Sequence, residues 1–145
     1  NCEPVAGWVM QFPERLPGVK GLIVFWAVSA IVWSVLEGDP GRVLLFGLLT
    51  TIVGLAYLFQ RAMGGRRLPV WSGVLVMGLW GAALGAGTVL VTLFLMAVKT
   101  GLHAHGPEFS TADIGALWGQ AALWTAVGLL IGLGLGLLIA ARQSE

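Results

Sequence analysis

The residues with the clearest capacity for chemistry stand close together, between positions 99 and 113. They are Lys99, His103, His105, Glu108 and Asp113, and the two histidines are all that the chain has. Two imidazoles and two carboxylates are chemically sufficient for a metal site. Zinc accepts nitrogen and oxygen donors in tetrahedral geometry, and copper also takes imidazole. On an extended segment His103 and His105 share one side and can face one ion. On a helix they point about 200° apart, and only one serves a given site. The spacing matches no specific metal motif. The same residues also have structural uses. Imidazoles in a last helical turn donate to unpaired carbonyls, and acidic groups favour a helix start. Lys99 is expected to extend its ammonium to the membrane interface. The expectation is therefore no resident cofactor, with a metal or haem contact through His103 and His105 as the sharper alternative.

Whatever this cluster does, it must be held by elements of unusual composition. Of 145 residues, 57% are hydrophobic and 10% charged. A soluble domain carries roughly 25% charged residues, so too few are present to cover a globule of this size. A bilayer removes that requirement. The net charge of +1 gives no concentrated basic face of the kind that nucleic-acid binding needs. One cysteine, Cys2, excludes an intrachain disulfide and a cysteine-based zinc cluster.

Four stretches contain no ionisable Asp, Glu, Lys, Arg or His: 21–36, 43–60, 68–98 and 114–141. A hydrocarbon core of about 30 Å needs roughly 20 apolar helical residues. The expected fold is thus an all-α polytopic membrane protein with four transmembrane helices in two antiparallel hairpins. The expected divisions are an N-terminal interfacial segment, 1–20, a transmembrane domain, 21–142, and a short tail, 143–145. The helices fall at about 21–37, 40–62, 69–105 and 110–142. Residues 1–20 lack the apolar run of a secretory signal. There, Trp8, Val9, Met10 and Phe12 are read as lying in the headgroup region.

Punctuation supports these limits. Asp39-Pro40 reads as an N-cap with proline at the first helical position. Gly64-Gly65 ends helix two in a backbone conformation that glycine tolerates. Pro69 suits the first turn of helix three, and Ser110 to Asp113 resembles a capping box. Arg15, Lys20, Arg61, Arg66, Arg67 and Arg142 fall on one side of a four-span topology, and Arg42 and Lys99 on the other. The positive-inside rule then places both termini in the cytoplasm of a plasma-membrane protein, with the histidine loop outside.

Lipid is as apolar as leucine, so helix association needs close backbone packing. Helix four carries Gly128, Gly132 and Gly136 at four-residue spacing. Helix three offers Gly78, Ala82 and Ala86 on one stripe, with Gly81 and Gly85 beside it. The partner of the helix-four groove is helix three, a second copy or another protein. Gln120 is the polar group in the spans most in need of a partner, from a neighbouring helix or the outer interface. The absence of ionisable groups in the spans disfavours a proton-coupled pathway.

These features point first to a non-catalytic accessory subunit or a self-assembling scaffold. It would be embedded in the lipid bilayer, as a homo-oligomer or in a complex with other membrane subunits. A metal- or haem-contacting redox protein is the second reading. An oligomeric transporter or channel for a small neutral or lipidic substrate is the third.

Overall fold

The computed structural model describes residues 9–36, 39–102 and 109–143. The fold is helical: α1 (Val19–Val35), α2 (Pro40–Met63), α3 (Val70–Leu102), α4 (Thr111–Gly119) and α5 (Ala121–Gln143). Two short strands complete it, β1 (Val9–Gln11) and β2 (Arg67–Pro69). Three helical lengths are long and apolar enough to cross a membrane: Pro40–Met63, Val70–Leu102 and the α4–α5 unit Thr111–Gln143. The remaining apolar helix, α1, has 17 residues. At about 1.5 Å per residue it reaches roughly 25 Å, a little short of the hydrocarbon thickness.

Local chemistry sets the helix ends. The Asp39 carboxylate accepts from the Arg42 backbone N–H at 2.9 Å, and Pro40 opens α2 with a φ already suited to helix. After Met63 the chain turns through Gly64 and then Gly65, whose φ of +73° lies in the left-handed region. Pro69 closes β2, so α3 begins one residue later, at Val70.

The expected fourth helix is interrupted at Gln120. Its backbone N–H turns to the Leu117 and Trp118 carbonyls, tightening the turn between α4 and α5. The ladder resumes when Trp124 N–H donates to the Gln120 carbonyl at 3.0 Å.

The helices pack in chain order. Contacts between Val74 and Gly136 and between Gly85 and Trp124 make α3 and α5 antiparallel. Gly47 against Thr92 and Gly87 against Thr51 do the same for α2 and α3. Trp26 and Trp33 of α1 stack on Phe46 of α2, with ring centroids 6.3 and 5.0 Å apart. No residue of α1 is fully buried, so α1 is the outermost helix of the row.

The segment before α1 includes a short strand. Val9–Gln11 pairs antiparallel with Arg67–Pro69, with Met10 opposite Leu68. The resulting period of two points Val9 and Gln11 outward and Met10 and Phe12 inward. Met10 and Phe12 then join Met63, Val74 and Ala140 in one core cluster. Gln143 ties the end of α5 to the same strand. Its Nε2 donates to the Gln11 carbonyl, and its Oε1 accepts from the Gln11 N–H.

Met10 fits over Gly73, where an added Cβ would lie 2.6 Å from the methionine sulfur. Met10→Ala is expected to cost about 2–5 kcal/mol, as for other large-to-small core changes. Val9→Ala, on the exposed side of the strand, should be close to neutral. Denaturant unfolding of the two variants in the same detergent checks the contrast.

Candidate functional site

The end of the bundle where α1 and α3 finish and α2 and α4 begin holds Lys99, Asp113 and Gln120. Of the proposed metal set, Asp113 lies within the described residues, and His103, His105 and Glu108 lie outside them. Asp113 forms a capping box with Ser110. The Asp113 N–H donates to Ser110 Oγ at 3.1 Å, and Ser110 N–H donates back to Asp113 Oδ2 at 3.0 Å. The Ser110 hydroxyl also donates to Asp113 Oδ2. The carboxylate thus satisfies the start of α4, the structural use available to it in the sequence. Ser110→Ala is expected to destabilise this start by about 0.5–2 kcal/mol. Amide exchange over residues 111–114 should rise with it.

Lys99 turns its ammonium toward a neighbouring helix. It is 1% exposed, and its ammonium lies between α3 and the end of α1. Nζ donates to the Trp33 carbonyl at 3.2 Å and to the Leu36 carbonyl. It also sits 4.9 Å from the centroid of the Trp33 ring. A helix C-terminus leaves its last carbonyls unpaired and carries partial negative charge. Lys99 supplies donors and positive charge to that end from a different helix. The electron-rich face of the indole adds a further attraction.

Gln120 takes its partner from the start of α5: Oε1 accepts from Trp124 Nε1 at 3.4 Å. Other hydroxyls in the helices bond to backbone one turn earlier. Thr50 donates to the Phe46 carbonyl, Thr51 to Gly47, Thr88 to Leu84, Thr92 to Thr88 and Thr125 to Ala121. Such bonds satisfy a hydroxyl in an apolar setting and hold it against its own helix.

The glycines form the α3–α5 contact. A Cβ on Gly81 would fall 2.1 Å from the Gly128 carbonyl oxygen, and one on Gly132 2.2 Å from that of Met77. Gly85 backs onto the Trp124 carbonyl, Gly136 onto Val74, and Gly78 onto Leu133. Ala82 and Ala86 are half-buried on the same helix. This packing occupies the Gly128, Gly132 and Gly136 face from within the chain. Gly47 also faces Thr92 and Gly87 faces Thr51 across α2 and α3, a register that residue type alone does not fix.

Two apolar cavities lie along the helices. One of about 300 Å³ is lined by α2, α3 and α5, including Phe59, Trp80 and Leu135. The other, of about 540 Å³, is a groove between α1 and α2. Phe25, Val28 and Val32 form one wall and Leu45, Phe46 and Leu49 the other. Trp33, Leu36 and Arg42 define the end nearest Lys99. Trp33 Nε1 is buried and has no hydrogen-bond partner among the described residues. A buried donor left in that state costs about 1–3 kcal/mol.

No protein-family model, curated protein or solved structure matches this chain.

Proposed function

We propose that this chain is a small non-catalytic subunit of a membrane complex. In this reading α1, α2, α3 and the α4–α5 unit form four spans in two antiparallel hairpins, with both termini cytoplasmic. The observation that carries the reading is the use made of the polar groups in the helices. Thr50, Thr51, Thr88, Thr92 and Thr125 bond to their own helices, Gln120 to Trp124, and Lys99 to the end of α1. These bonds stabilise and position helices, which suits a structural part better than a moving or reacting one.

The outer face of α1 supports the same reading. Val24, Ile31 and Val35 share one side of the helix and are all more than half exposed. They form an apolar stripe open to lipid or to another transmembrane helix. The glycine face of α5 is covered by α3, so assembly uses surfaces such as this stripe instead.

Native mass spectrometry of the chain released gently from its own membrane tests the proposal. A mixed mass containing other polypeptides is the expected result. A mass equal to the chain alone, or to a multiple of it, would overturn the subunit reading.

A further inference from the structure

We propose that the α1–α2 groove holds one acyl chain of an anionic phospholipid from the surrounding bilayer, with the lipid phosphate on the Arg42 guanidinium. This goes beyond the subunit reading and does not depend on it.

Three observations select this occupant. The first is shape. The groove runs along α1 from Phe25 to the helix end at Leu36, eleven residue steps or about 16 Å. One leaflet of a bilayer is half of a hydrocarbon core of about 30 Å, so the length fits a single acyl chain. The second is lining. Apart from Ser29 and Arg42, every side chain in the wall is a hydrocarbon or an aromatic ring. The groove offers an alkyl chain continuous apolar contact and offers a polar solute almost nothing.

The third is charge. Arg42 stands in the first turn of α2, beside the groove end. Its guanidinium is exposed and has no ion-pair partner among the described residues. The Asp39 carboxylate is the opposing charge nearby, and it accepts a bond from the Arg42 backbone N–H. A phosphate is the group that a planar guanidinium binds through paired hydrogen bonds. An uncharged or zwitterionic headgroup gains less there.

The test uses the full chain in detergent with equal amounts of phosphatidylglycerol and phosphatidylcholine carrying the same acyl chains. Native mass spectrometry should show one retained phosphatidylglycerol, favoured about fivefold over phosphatidylcholine. Arg42→Gln should bring that ratio near unity, and Arg42→Lys should restore part of it. Ser29→Phe, which fills the groove from the α1 side, should remove both adducts. Equal retention of the two lipids by the unaltered chain would overturn the proposal. So would a preference that survives Arg42→Gln, or adducts that survive Ser29→Phe. A free fatty acid retained in place of phospholipid would overturn it, as would a dimer that forms with loss of the adduct.

Discussion

Gly81→Leu is expected to separate α3 from α5 and to abolish the folded bundle while leaving each helix apolar enough to insert. The two helices meet backbone to backbone. A Cβ on Gly81 would lie 2.1 Å from the Gly128 carbonyl oxygen and 2.9 Å from the Gly132 Cα. Neither atom belongs to a flexible side chain, so no rotamer change can make room. Overpacking in a yielding core costs about 1–3 kcal/mol. Here the whole of α5 must retreat, and the loss should exceed that range. Gly128→Ala should already be damaging, because its added methyl meets the Gly81 carbonyl at the same distance. Gly134→Ala provides the control. It lies on the same helix with nothing within 4 Å of an added Cβ, and alanine is the better helix former. Thermal unfolding in detergent should therefore rank Gly134→Ala at or above the unaltered chain, Gly128→Ala below it, and Gly81→Leu without a cooperative transition. Equal melting of Gly128→Ala and Gly134→Ala would refute the close packing of α3 on α5.

These contacts mark the boundary of what the sequence carries. Four-residue spacing showed that Gly128, Gly132 and Gly136 share a face, because the period of a helix is a local property. Which helix covers that face depends on long-range register, to which α3, α5 and lipid contribute nearly equal apolarity. The same limit applies at the N-terminal side. Val9 to Phe12 has a mixed pattern, and β2 provides its backbone partners. Only that pairing fixes the period at two and turns Met10 and Phe12 inward. Punctuation was more legible. Asp39-Pro40, Gly65 and the Ser110–Asp113 box each act within a few residues, and each stands where local chemistry places it. The break at Gln120 was not legible, since the apolar run continues through it.

Lys99→Met should loosen α1 without disrupting the α3–α5 contact. Methionine preserves much of the length and apolar volume of the lysine stem, so the substitution chiefly removes the ammonium. The Trp33 and Leu36 carbonyls then lose a charged donor, a kind of hydrogen bond worth about 1.5–3 kcal/mol. The cation–π contact with Trp33 contributes about 0.5–2 kcal/mol more. Release from burial opposes this loss, because an ammonium taken out of water carries a desolvation penalty. That penalty is offset here, since the buried ammonium meets two carbonyls and an indole face. The bonding loss should therefore win, by about 1–3 kcal/mol. Its effect should be local, because α1 otherwise rests on α2 mainly through Trp26 and Trp33. Amide exchange over residues 30–36 is expected to accelerate about tenfold or more, by the factor such a free-energy loss implies. Exchange in α3 and α5 should remain as in the unaltered chain. Unchanged protection at the end of α1 would mean that Lys99 does not hold this helix, and α1 would then depend on the tryptophan stack alone.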